Sequence, residues 1–246
     1  KTTTKSITIT TAQEPIPEAT SYVGYYADVD GNGSVDGVIY ADLAIGGSGQ
    51  WNDSDGTYTI PKGSNFKKYE ISKKNYTDDF GTKDVIKVSN TSGNERFYVM
   101  ALDNVDSSEH CWYDDANGYM SDHTTATSEA FGSGKQNTKN MIAKWNSSDY
   151  GAQNAGKYTD VWGLSTVQSK INANPAWYVP AREEWAAFAG ELGITKSNYI
   201  NKGLESSCWS SSQNSIRTAW NAYFYIDTMY EHRVDISNYV RLGTTF

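Results

Sequence analysis

The chain has 246 residues, 38% hydrophobic and 20% charged, which is apolar enough for a folded core and excludes wholesale disorder. Its formal charge of −8, with scattered lysines and arginines, excludes the basic patch that nucleic-acid binding needs. No apolar run approaches the ~20 residues of a membrane span, so no membrane insertion is expected.

Residues 1–20 have the character of a tail and linker from a preceding domain. Lys1–Thr11 (KTTTKSITITT) alternates like a last β-strand, and Pro15 and Pro17 make a short stiff linker. The first residue is Lys1 and no leader pattern is present, so the expectation is a native protein that is longer at this end. From residue 21 onward, short apolar runs separated by Gly, Asn, Asp and Ser predict strands at Tyr22–Tyr26, Gly37–Leu43, Thr57–Ile60, Val85–Val88 and Arg96–Leu102. Met141, Ile142 and Trp145 predict a helix over about Asn137–Trp145, and a weaker helical stretch covers Asp160–Ile171. The stronger helix is Arg182–Leu192 (REEWAAFAGEL). Glu183 and Glu184 suit the helix dipole, Trp185, Phe188 and Leu192 share a face, and Gly193 is the stop. In Trp220–Ile226 a period of two places Trp220, Ala222, Phe224 and Ile226 on one face and Tyr223 and Tyr225 on the other. Asp227-Thr228 turns the chain, and Tyr239–Phe246 makes a final strand. The class is α+β, with short sheets, two main helices and extensive irregular loops.

Motifs for chemistry are sparse. In Asp28–Asp36 (DVDGNGSVD), Asp28, Asp30, Asn32 and Asp36 occupy positions one, three, five and nine of a calcium-loop pattern, with Gly33 at six. Position twelve is Ile39 instead of a bidentate Glu, and the flanks are strand-like. Two readings stay open: a turn closed by its own Asx side chains, or calcium in a structural role. No other cofactor is indicated. Gly132–Lys135 (GSGK) lacks the rest of a phosphate loop, and His110, His123 and His232 lack metal-ligand spacing. Cys111 and Cys208 are either separate thiols or one disulfide. Adjacent His110 and Cys111 point to opposite faces of a strand, which disfavours a nucleophile pair.

Trp177–Leu192 (WYVPAREEWAAFAGEL), Cys208–Gln213 (CWSSSQ), Ala219-Trp220 and Tyr239–Phe246 (YVRLGTTF), in this order, resemble the variable proteins of diversity-generating retroelements. Tyr26–Leu43 and Arg96–Leu102 also look like segments of bacterial and phage members, so the resemblance spans about Tyr22 to Phe246. It implies a C-type-lectin-like fold of the formylglycine-generating-enzyme type over residues 21–246, with a variable region at about 208–239. In that family template adenines are mutated during copying, chiefly in Asn codons. Changing the first two bases of such codons never yields Trp, Met, Gln, Lys or Glu. Between Asn214 and Asn238 these types occur only as Trp220, Met229 and Glu231. Trp220 and Met229 are expected to be fixed scaffold, and Glu231 to derive from another adenine-bearing codon. Cys208 departs from the Tyr that family members tend to carry before Trp-Ser-Ser-Ser. The tripeptide Trp51-Asn52-Asp53 matches part of the sugar site of animal C-type lectins, in the wrong place and without its companion segment.

The implied function is non-catalytic. Tyr223, Tyr225, Asp227, Tyr230, His232 and Arg233 are expected to contact a protein or glycan receptor on another cell, for adhesion or host attachment from a virion tail or bacterial surface. Trp209, Trp220, Phe224 and Val240 are expected to hold the scaffold beneath them. A formylglycine-generating-type oxidase and a fixed-specificity glycan lectin are the alternatives.

Overall fold

The computed structural model describes residues 14–114, 120–147 and 160–246. Its larger sheet starts from the hairpin of β1 (Tyr26–Asp28) and β2 (Gly37–Asp42), and continues with the long hairpin of β5 (Lys68–Asp78) and β6 (Gly81–Asn90), then β7 (Phe97–Asn104). A ribbon of β3 (Gly47–Gln50) and β4 (Thr57–Ile60) is inserted between these hairpins. Next come β8 (His110–Cys111) and the helices α1 (His123–Ala126), α2 (Gly134–Trp145), α3 (Ser165–Ile171) and α4 (Arg182–Glu191). The chain ends in β9 (Ser207–Gln213), β10 (Thr218–Tyr223), β11 (Thr228–Arg233), β12 (Ser237–Asn238) and β13 (Arg241–Thr245). The sheet order is β13-β7-β2-β1-β6-β5, with β1 and β6 parallel, and a separate three-stranded sheet runs β11-β10-β9. The architecture is α+β with several small sheets and, among the described residues, four α-helices. None of these helices is long and apolar enough to cross a membrane.

Helix α4 lies between the two sheets because nearly its whole circumference is apolar or small. Trp185, Ala186, Phe188 and Ala189 share one core with Val38 and Tyr40 of β2, Tyr58 and Ile60 of β4, and Cys208, Ala222 and Met229 of the C-terminal sheet. Full burial of a ring such as Phe188 stabilises by roughly 2–3 kcal/mol. A second core packs Trp112, Met141 and Trp162 against Trp209, Ala219 and Val240. A third lies on the opposite face of the large sheet, where Ile39, Ile86, Phe97 and Val99 meet the terminal Phe246.

Several predicted elements shift. Tyr22–Tyr25 is a turn, not strand, because Gly24 takes φ +83° and Tyr25 N–H bonds back to Tyr22 O at 3.1 Å. Asp160–Ile171 is a 3-10 turn over Val161–Gly163 followed by α3, with Leu164 extended between them. Strand β10 stops at Tyr223, and Phe224–Ile226 is a 3-10 turn. Ile226 is therefore 42% exposed and does not join the buried face. The cause is Phe224, whose ring is drawn toward Trp51 and Trp185, with centroids at 5.6 and 5.9 Å. Lys1–Thr11 lies outside the described residues. The segment containing Pro15 and Pro17 lies along β5, with Ile16 N–H to Tyr69 O at 3.2 Å. Buried Arg96 grips the carbonyls of Pro17, Glu18 and Thr20 while pairing with Asp42 at 2.8 Å.

Glu184 is fully buried, which a helix-dipole reading does not anticipate. Its carboxylate accepts the Ala181 N–H at 2.6 Å, the Tyr178 hydroxyl at 3.3 Å and the backbone N–H groups of Gly132 and Gly134. The GSGK segment thus wraps an internal carboxylate. A Cβ on Gly134 would sit 2.3 Å from Glu184 Oε2, so only glycine fits there. Burial pushes the Glu184 carboxyl up from 4.5 to about 7, so the folded chain retains a proton there that the unfolded chain releases. This contribution to stability is complete below pH about 4.5 and is lost as pH rises through about 7. Its size is on the order of 3 kcal/mol. Glu184→Gln should flatten the decline of Tm across that window in thermal unfolding; an undiminished decline would contradict this role.

Candidate ligand-binding surface

Strand β9 is the floor of the C-terminal sheet. All of Ser207–Gln213 is buried although serines dominate it, so its hydroxyls must find partners inside. Ser210 Oγ donates to Trp220 O at 2.7 Å, and Ser211 Oγ accepts from Asn137 Nδ2 at 3.1 Å. Ser212 Oγ donates to Ser128 O at 2.8 Å and accepts the Arg182 N–H at 3.0 Å. Two indoles hold the strand's backbone: Trp185 Nε1 donates to Trp209 O at 3.1 Å and Trp112 Nε1 to Ser210 O at 2.8 Å.

Strand β10 lies between β9 and β11, with Trp220, Ala222 and Met229 facing α4. The Trp220 indole donates to Glu129 Oε1 at 2.7 Å while the Arg182 guanidinium covers its ring at 4.8 Å. Arg182 in turn pairs with Glu129 at 3.3 Å. The residues expected to be scaffold, Trp209, Trp220, Phe224 and Val240, are all buried.

The opposite face is set by register. Asn221 pairs with Tyr230, Ala219 with His232 and Tyr223 with Thr228, and directly opposed residues share a face. Tyr223, Tyr230 and His232 therefore project to one side. Their rings form a continuous row that starts at Tyr225 in the turn: Tyr225–Tyr223 at 6.2 Å, Tyr223–Tyr230 at 5.9 Å, Tyr230–His232 at 5.7 Å and His232–Trp209 at 6.1 Å. Tyr225 and Tyr230 are 61% and 44% exposed, and Tyr223 and His232 are half-buried. Burial holds the His232 imidazole below its ordinary 6.5, against the opposing pull of Asp235, so the ring is mostly neutral at pH 7.

Asp227 and Arg233 are more constrained. Asp227 takes φ +59° and its Oδ1 accepts the Lys196 N–H, which locks the β10–β11 turn. Arg233 is exposed but clamped on Asp235 by bonds of 2.9 and 2.6 Å. Residues outside the predicted set complete the surface. Apart from Ile45, the exposed large apolar side chains among the described residues are Ile200, Ile216, Tyr225, Ile226, Tyr230 and Ile236, all in or flanking the C-terminal sheet. Next to the turn is a cleft of about 450 Å³ lined by Tyr199, Ile200, Leu204, Glu205, Ser206 and Tyr239. Ser206 O accepts the Tyr225 N–H at 3.3 Å, which joins the cleft wall to the aromatic row. Nothing in periodicity marks these isoleucines, since they sit in turns.

The acidic loop lies on the β1–β2 hairpin. Carboxylate oxygens of Asp28, Asp30 and Asp36 lie within 4.8 Å of one another. Asn32 closes an Asx turn, its Oδ1 accepting the Ser34 N–H at 2.7 Å. Burial, with the neighbouring Asp30 charge adding to it, raises the Asp28 and Asp36 carboxyls above 3.8. Both cysteines are free and buried. His110 engages Asp106 at 3.0 Å while Cys111 donates to Asp160 Oδ1 at 3.0 Å, so the two neighbours serve different partners.

No protein-family model, curated protein or solved structure matches the chain. The surface therefore stands on its own geometry. A division between floor and outer row predicts unequal mutational costs in urea unfolding. Trp209→Ala should lose roughly 3–5 kcal/mol, and Tyr225→Ala should stay within about 0.5 kcal/mol. Comparable losses at both positions would contradict the division.

Proposed function

We propose that this protein is a non-catalytic binding module with a C-type-lectin-like fold, akin to the variable proteins of diversity-generating retroelements. Its C-terminal sheet binds a protein or glycan receptor on another cell, from a virion tail or bacterial surface. The observation that carries this reading is the ring-to-ring row Tyr225, Tyr223, Tyr230 and His232 on β10, β11 and their turn, beside a strand with no exposed side chain. Tyrosine supplies a large amphipathic contact area with few rotatable bonds, the property that paratopes exploit. Exposed isoleucines in the adjoining turns, Ile216, Ile226 and Ile236, add apolar side chains around the same sheet. Retroelement mutagenesis of Asn codons reaches every exposed isoleucine and tyrosine between Ile216 and Ile236, and of the three unreachable residues Trp220 and Met229 are buried while Glu231 is exposed.

The thiol environments favour binding over formylglycine-type oxidation. Burial pushes the Cys208 thiol up to about 12, and burial together with the Asp160 charge pushes the Cys111 thiol well up from 9.0. A reactive cysteine needs the thiolate. A fixed calcium-dependent sugar site at Trp51-Asn52-Asp53 is disfavoured too. Asp53 accepts the Thr228 hydroxyl at 2.6 Å and the Asp55 N–H at 3.2 Å, and Trp51 donates its indole N–H to Ile194 O at 2.9 Å.

The test is to probe arrays of cell-surface proteins and of glycans with the whole chain and with the Tyr223→Ala/Tyr225→Ala/Tyr230→Ala variant. Binding by the parent that falls at least about tenfold in the variant, with Tm lowered by only a few degrees, is expected. Binding that survives the triple substitution, or oxidase activity on a cysteine-containing peptide, would overturn the proposal.

A further inference from the structure

We propose that the β1–β2 loop is a calcium site, formed by Asp28, Asp30 and Asp36 and independent of the C-terminal surface. The carboxylates alone would not carry this, because acidic groups often cluster on loops without a cation. The decisive feature is Asp28. Its residue is 1% exposed, and its Oδ1 is buried without a hydrogen bond of good geometry, although the Gly31 amide lies near the carboxylate. A carboxylate oxygen withdrawn from water and left unpaired is destabilising, most of all when ionised, and a bound cation would offset that cost. Its Oδ2 is satisfied by the Gly33 N–H at 3.1 Å, so the side chain is held in place while one oxygen remains unused. That carboxylate lies within 4.8 Å of the oxygens offered by Asp30 and Asp36.

Among the described residues no lysine or arginine forms an ion pair with the group. Lys87, whose charge reaches Asp28, is paired with Glu70 at 3.3 Å. Asp36 Oδ2 accepts the Val29 N–H at 2.7 Å, which fixes the carboxylate across the mouth of the hairpin. Cβ atoms placed on Gly31 or Gly33 would meet nothing within 4 Å, so the crown is open to solvent. Three carboxylates on an open turn suit calcium, which takes 6–8 oxygens in irregular geometry, better than magnesium, which demands a near-ideal octahedron. Ile39 stands where a bidentate glutamate would add the strongest ligand, so the affinity should be weak, with Kd on the order of 10⁻⁴ M, in the range of extracellular modules.

The experiment is calorimetric titration and thermal unfolding of the chelator-stripped chain with calcium chloride, and with magnesium chloride as the comparison. With roughly 10 mM calcium, Tm should rise by roughly 5 °C or more. Magnesium should give less than about half that rise. Asp28→Asn should abolish the calcium response. Asp30→Ala is the second variant: its carboxylate is exposed and bonded to Asn32, so the fold should survive while the response drops by at least about half. No heat and no Tm rise in the parent, an equal response to magnesium, or an undiminished calcium response in Asp30→Ala would each overturn the assignment. Loss of calcium binding leaves the array test of the tyrosine row untouched, so the two proposals fail separately.

Discussion

The C-terminal half of the molecule depends on how strand β9 is buried. A strand of serines inside a protein is costly unless every hydroxyl and every backbone group is answered. Here Trp185 and Trp112 reach its carbonyls, while Asn137 and the Arg182 N–H reach its serines. Small hydroxyls let three surrounding elements approach closely, and their hydrogen bonds prescribe where each element sits. Strands β10 and β11 are built outward from that base, so their register is inherited from a strand that has no freedom to slide.

This separation of roles gives the surface its character. Inward residues of β10 and β11 meet α4, and their exchange would open cavities or strand polar groups. On the opposite face Ala219 and Asn221 are buried, while Tyr223, Tyr230 and His232, with Tyr225 of the turn, touch one another through rings at 5.7–6.2 Å. Aromatic contacts of that kind are worth about 0.5–1.5 kcal/mol each, enough to pre-order the row without making the fold hostage to it. Ordering before encounter lowers the entropic cost of binding. The Asp227 turn and the Asp53–Thr228 bond fix the backbone at the β10–β11 end of the row.

Where a residue's type decided its environment, the sequence was legible. Helix α4 follows from Trp185 and Phe188, and β2, β4, β6 and β7 follow from apolar β-branched runs. Legibility failed where one residue type serves two environments. Glu183 and Glu184 look alike in the first turn of a helix, yet Glu184 is a buried anchor for two glycine amides. Strand β9 has no apolar alternation, because its period is carried by satisfied serines. Strand β5 is long and rich in lysine, as an edge strand is free to be. Alternation through Trp220–Ile226 runs one turn too far, because nothing local shows that Phe224 is captured by Trp51 and Trp185. Among the expected contact residues the tyrosines and His232 come together, whereas Asp227 and Arg233 are engaged in bonds of their own.

The proposed display surface requires an outer row free to vary above an invariant floor, and the DNA beside the gene tests that requirement most directly. Sequencing that region should reveal a reverse transcriptase gene and a near-copy of the 3′ end. Mismatches should fall at adenines in the codons for Tyr223, Tyr225, Ile226, Tyr230 and His232, and should spare Trp209, Ser210, Ser211, Ser212 and Trp220. A region without such a copy, or one whose mismatches fall in the codons of the floor, would contradict it.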